Sequence, residues 1–368
     1  MSPKPRGISL GLFSQYRDEL FGLSILSIVL YHYCLNVRAH APAALTEGYL
    51  AWIGAVGVEV FVFLSGMGLW YSFSRQPDAG AFYRRRLSRI LPVYLPVAAV
   101  FWAVRGILEG TGFLRFLGNL TFVTFFTRGV HTIWYVGFIL LLYLLYPLIH
   151  KFLDRPSVPS RAIHLLILYA AFAGIMVVYR HVAPAHYDRE LMVWIRIPIF
   201  LTGCFLAPFI KEGAELPAKA VFGVMGALLA GKAVTVFLPR AEGIQVFYNT
   251  LYALALMLLV CLLLDRPWKA RPAAEPAAAT AEPAEPAAEP STVASSSAPA
   301  GPLRRCLQFF GSVSLELYVI HVCLRNLVNY KGWPIWNPGV YAAVILVSLG
   351  LSIGLHKLNE RVLTDRKG

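Results

Sequence analysis

Ten runs of about twenty predominantly apolar residues constrain this chain more than any other feature, because about twenty such residues cross the hydrocarbon core of a bilayer as a helix. They lie at 20–38, 50–73, 90–108, 131–150, 161–180, 191–210, 217–238, 244–264, 306–329 and 338–356. Hydrophobic residues make up 57% of the 368, charged residues 14%, and the mean hydropathy is +0.60. A soluble domain carries roughly a quarter charged residues, so a soluble globular fold is excluded. The expectation is an all-α membrane protein, a ten-transmembrane-helix bundle. The stretch 113–127 is too short and mixed to be an eleventh span and reads as an interfacial or re-entrant segment. No cleavable signal sequence is evident, so the first span is expected to be retained.

The net charge of +13 does not indicate nucleic-acid binding. The basic residues collect in alternate loops, most clearly at 74–90 with Arg75, Arg84, Arg85, Arg86 and Arg89. That bias places both termini in the cytoplasm. The five cysteines sit in or beside apolar runs with no CxxC pair, and no histidine group has metal-ligand spacing, so no metal site is expected. From about 270 to 302 the chain is Ala, Pro, Glu and Ser, which cannot bury a core. The organisation is therefore a membrane domain over 1–265 with spans one to eight, a disordered cytoplasmic linker over 266–303, and spans nine and ten over 304–368. A tolerated insertion accounts for the linker more simply than a regulatory element.

Ionisable residues inside a membrane are costly and mark function by default. Of the 20 acidic residues, Glu59 and Glu316 fall well within apolar runs, as do His32 and His321. Arg196, Lys232 and Arg325 lie in or near span ends, where snorkelling to the interface is expected. At 1.5 Å per residue, His32 is roughly 9 Å and Glu59 roughly 14 Å from the outer ends of neighbouring spans. A His32–Glu59 contact is feasible, and such a carboxylate would fix the imidazole tautomer. His321 and Arg325 share a helical face, and Glu316 points elsewhere on the same helix. For each residue the alternative role is an interhelical hydrogen bond that only holds the bundle together. Arg86 and Arg89 lie three apart on one face and suit a phosphate-rich cytoplasmic ligand; binding of membrane lipid headgroups explains the same charges.

Five ordered landmarks resemble the acyltransferase-3 family of integral membrane O-acyltransferases. Asp18-Glu19-Leu20-Phe21-Gly22 followed by Leu30-Tyr31-His32 is similar to its first-span motif, and Gly57-Val58-Glu59 through Ser65-Gly66 to its second. Phe82-Tyr83-Arg84-Arg85-Arg86-Leu87-Ser88-Arg89 carries the RxxR element. Trp134-Tyr135 with Tyr146-Pro147, and Gly311 through Leu315-Glu316-Leu317-Tyr318 to His321, are similar to the later landmarks. Many members have Arg where this chain has Phe21; Arg17, one helical turn earlier, is positioned to supply that charge.

The resemblance implies transfer of a short acyl group, acetyl in many members, from cytoplasmic acyl-CoA to a hydroxyl of a glycan or glycolipid. It implies no bound cofactor, a multi-pass place in the cell membrane, and a bacterial inner membrane in particular. On this reading His32 is a general base or transient acyl carrier and Glu59 orients it. Arg84, Arg85, Arg86 and Arg89 bind the CoA phosphates. Arg17, Trp134, Tyr135, Glu316 and His321 are further candidates. A proton-coupled transporter or flippase, with intramembrane His and Glu relaying protons, is the alternative, although no internal repeat is evident.

Overall fold

The computed structural model describes residues 7–54, 56–237, 242–265 and 301–365. A short strand β1 (Gly7–Ser9) and α1 (Leu12–Gln15) lead into α2 (Arg17–Val37). Next come α3 (Ala43–Tyr49), a π-helical turn (Leu50–Gly54) and α4 (Val56–Arg75). The long α5 (Ala79–Glu109) is followed by two short helices, α6 (Phe113–Leu120) and α7 (Val123–Arg128), in the stretch that was too short to span. Then follow α8 (Trp134–Leu153), α9 (Val158–Val182), α10 (Pro184–Trp194) and α11 (Ile197–Lys211). β2 (Glu215–Pro217), α12 (Ala218–Phe237), α13 (Glu242–Leu264), α14 (Pro302–Ser312), α15 (Ser314–Tyr330) and α16 (Pro338–Asp365) complete the chain.

Eight helices among the described residues are long and apolar enough to cross a membrane, or nine if α14 and α15 form one span bent by 67°. The break falls inside the expected ninth run, 306–329. α12 occupies the expected seventh run, and its end borders residues outside the described set. The linker expected at 266–303 lies almost wholly outside the described residues, which resume at Gly301 with Pro302 opening α14.

Local chemistry sets the helix ends near the site. Asp78 caps α5 by accepting from the Ala81 amide at 2.6 Å, and Gly110 ends that helix in the left-handed region at φ 63°. Glycines let two helix pairs meet backbone to backbone. A side chain at Gly22 of α2 would strike the Leu307 carbonyl of α14, and one at Gly311 would strike the Asp18 carbonyl. Across α4 and α11, a Cβ at Gly66 would lie 2.5 Å from the Phe200 carbonyl oxygen, and Gly203 faces the Phe63 carbonyl in return.

The start of α2, the first turns of α5 and the last turns of α16 meet at one end of the bundle, where Arg17, Arg86 and Glu360 line a common cavity. β1 pairs antiparallel with β2 and ties the chain start to the α11–α12 connection, with Ile8 opposite Leu216. Tyr16 donates to Asp265 at 2.8 Å, and the Arg304 guanidinium lies 4.9 Å from the Tyr16 ring centre. Burial and the Asp265 carboxylate push the Tyr16 phenol well above its ordinary range, so its hydroxyl remains the donor. The residues flanking the linker are thereby held on one side chain.

Candidate functional site

A cavity of about 490 Å³ opens at the end of the bundle that carries the arginine loop. Arg17, Arg86 and Arg89 line it together with Tyr135, Glu316 and His356. Arg86 is half-buried, gives a 3.5 Å contact to the Gly68 carbonyl, and keeps its Nε without a partner. Arg89, one turn on, is exposed. Arg17 lies over the Phe21 ring at 5.1 Å, so the charge expected to compensate for Phe21 does reach the cavity wall. Phe21 itself packs on Phe61 at 5.3 Å and makes that wall apolar.

The sequence grouped four arginines as one phosphate site; the structure gathers two of them with Arg17. Arg85 turns to the Gln76 side chain. Arg84 lines a separate shallow groove with Leu87, Leu91 and Leu95 on the outer face of α5. Helical periodicity explains the split, because four arginines within six residues cannot all face one side.

The cavity follows α2 from Arg17 to Ile28, about 16 Å at 1.5 Å per residue. One turn beyond Ile28 is His32, and one turn beyond the cavity-lining Tyr318 is His321. The two imidazoles are joined by His32 Nδ1 and His321 Nε2 at 2.9 Å. His321 is fully buried and its Nδ1 lies 2.8 Å from the Leu317 carbonyl oxygen. A carbonyl only accepts, so His321 Nδ1 carries the proton and its Nε2, in the neutral ring, accepts. His32 must then donate from Nδ1, which leaves His32 Nε2 as a bare lone pair. His32 is half-buried, unlike its partner.

The expected His32–Glu59 contact is not formed. Glu59 Oε1 pairs with Arg196 Nη1 at 3.1 Å, and both side chains are nearly inaccessible, at 6% and 8% exposure. The reason is register. Glu59 precedes Gly66 by seven residues, as Arg196 precedes Gly203, and these glycines form the α4–α11 crossing. Two turns away on parallel helices, the carboxylate and guanidinium must meet. Arg196 is therefore an interior partner and not the snorkelling residue expected at a span end. Trp134 belongs to this second cluster, with the Arg196 guanidinium 6.0 Å from its ring centre, whereas the next residue, Tyr135, faces the cavity.

Glu316 accepts from His356 Nδ1 at 2.9 Å, and His356 Nε2 lies 3.5 Å from Glu360. Sequence reading missed His356, which sits in no motif; its signal was a histidine in the last turns of the final apolar run. It also missed Asn36, one turn after His32, which accepts from Arg325 Nη2 at 2.7 Å and from Nε at 3.2 Å. The parallel spacings His32–Asn36 and His321–Arg325 were the available clue. Among the described residues no group of three His, Cys, Asp or Glu could hold a metal ion.

No curated protein and no solved structure gives a significant match to the chain. The acyltransferase-3 family, described as an acyltransferase domain, matches residues 22–357, nearly the whole chain. That interval holds every site residue above except Arg17, Phe21 and Glu360. The cavity, the paired imidazoles and the apolar helices around them are thus those of a family member, and the chain belongs to the acyltransferase-3 family as a membrane acyltransferase.

Proposed function

We propose that the protein moves a short acyl group, acetyl in the simplest case, from cytoplasmic acyl-CoA to a hydroxyl of a cell-surface or exported glycan. The observation that carries this reading is the distance between charge and base. Arg17 and His32 are fifteen residues apart on α2, about 22 Å along the helix. A compact donor cannot have its phosphates at one end and its reacting carbon at the other. A thioester on an extended arm, with phosphates at its far end, can. Arg17, Arg86 and Arg89 hold the phosphates, and the half-apolar cavity accepts the arm.

The chemistry follows from the tautomers. The acceptor hydroxyl gives its proton to His32 Nε2 as its oxygen attacks the thioester carbonyl. The C–O bond forms, the C–S bond breaks, and the thiolate leaves, taking the proton from His32. Throughout, His32 Nδ1–H remains bonded to His321, which keeps the ring oriented. A general base of this kind contributes typically two to four orders of magnitude, and positioning of the two substrates contributes more. The excess of basic residues at the cavity end supports a cytoplasmic donor side, with the bacterial inner membrane as the setting.

The test is consumption of radiolabelled acetyl-CoA by the purified full chain in lipid nanodiscs, with no gradient present. His32→Ala should abolish transfer while the protein still inserts and elutes as a folded species. Near-normal activity in that variant would overturn the mechanism, and no consumption by the wild type would overturn the donor. Mass spectra of surface glycans from wild-type and deletion strains then give the acyl group and acceptor.

A further inference from the structure

Above the paired histidines, one turn further from the cavity, the same two helices carry a second rung, Asn36 with Arg325, whose unpaired amide group is a hydrogen-bond donor. Arg325 Nε and Nη2 both donate to Asn36 Oδ1. A guanidinium has no acceptor, so this contact fixes the amide with its oxygen towards the arginine and its NH2 away. Asn36 Nδ2 is a buried donor with no partner. Among the described residues, no carboxylate lies within ion-pair distance of Arg325, in contrast to Arg196 with Glu59 and Arg304 with Glu19. Arg325 lies five residues before the end of α15 and is partly buried.

A cation and an unsatisfied amide donor in a membrane-spanning bundle are both expensive, and an anionic oxygen would satisfy both. From this juxtaposition we infer that Asn36 and Arg325 form an acceptor subsite for an anionic substituent, a carboxylate or phosphate carried on the glycan next to the hydroxyl that is acylated. The inference rests on the acyltransferase reading for the role of the hydroxyl, but the subsite itself is a binding property. Parallel α2 and α15 place the anion one turn, about 6 Å, beyond the His32–His321 pair. That is the separation between a carboxylate and a hydroxyl a few bonds away on one sugar residue, or across one glycosidic linkage. The acceptor class assigned is therefore an acidic saccharide, approaching from the end of the bundle opposite the arginine loop.

The experiment is calorimetric binding of a glucuronic-acid-containing tetrasaccharide and its glucose analogue to the full chain in phosphatidylcholine nanodiscs. Neutral lipid keeps headgroup anions from competing. The acidic sugar should bind about tenfold or more tightly than the neutral one, the range expected for charge-assisted hydrogen bonds. Arg325→Gln should remove that preference and leave the neutral sugar within twofold, and Arg325→Lys should keep part of it. Asn36→Ala should weaken the acidic sugar selectively. Equal or undetectable binding of the two sugars by the wild type overturns the subsite. So does equal weakening of both by Arg325→Gln, which would mark a structural role. Acetyl-CoA consumption is scored separately, so loss of the acyltransferase reading and loss of the subsite are told apart.

Discussion

Replacing Glu59 separates a role in the reaction from a role in the bundle. The carboxylate and Arg196 are 3.1 Å apart and nearly inaccessible. With an effective dielectric constant of about 20, two unit charges at that distance attract by about 5 kcal/mol. Glu59→Gln removes the anion and leaves a buried guanidinium, which costs about 3–5 kcal/mol. The pair is incompletely satisfied, because Glu59 Oε2 and Arg196 Nε are buried without partners. Desolvation therefore offsets much of the attraction, and the double variant Glu59→Leu with Arg196→Met should recover most of the loss. The assay is thermal unfolding in nanodiscs, with acyl transfer measured per folded molecule. Each single variant should melt at lower temperature, and the double variant should return close to the wild type. Turnover per folded molecule should stay within a fewfold throughout, since neither side chain reaches His32. A Glu59→Gln protein that melts normally and is inactive would falsify this reasoning and restore the carboxylate as the partner of the base.

Three further outcomes follow from the geometry. Arg86→Ala and Arg89→Ala should each raise the KM for acyl-CoA about tenfold or more by removing a charged hydrogen bond, while Arg84→Ala changes it less than twofold in the same kinetic assay. Gly66→Leu should lower stability by about 1–3 kcal/mol or more through overpacking, since even its Cβ would lie 2.5 Å from a backbone carbonyl oxygen; a melting curve checks this. Replacing residues 270–300 with about eight Gly/Ser residues should leave the melting temperature and activity unchanged, because Tyr16 already holds Asp265 and Arg304 together; a folded protein with lost activity would assign the linker a function.

The apolar helices of the bundle were legible because apolar runs are local, although eight or nine of the described helices, not ten, are long and apolar enough to span. The arginine loop was legible as a charged segment, but only helix phase divides it, sending Arg86 and Arg89 inward and Arg84 to the outer face. Glu316 was expected to point away from His321, and it does, towards a histidine 40 residues later. The partner of His32 was not legible. It lies 289 residues away and depends on how α15 leans after a break that hydropathy does not reveal. Glu59 was matched with His32 on the neighbouring span because depth was the only coordinate available, and depth does not give azimuth.

By itself the sequence determined that this chain is a helical membrane protein, which few titratable groups are worth their cost inside it, and what family its landmarks resemble. These follow from composition and from spacing along one helix. Tertiary structure alone decided who meets whom. Glycine crossings fixed the register of α4 on α11 and gave Glu59 to Arg196. The bend between α14 and α15 laid the last motif parallel to α2, pairing imidazole with imidazole and leaving one nitrogen of His32 free. Hydrogen bonds between distant helices depend on rotation about each helix axis, and that rotation is set by packing, which no local stretch of residues encodes.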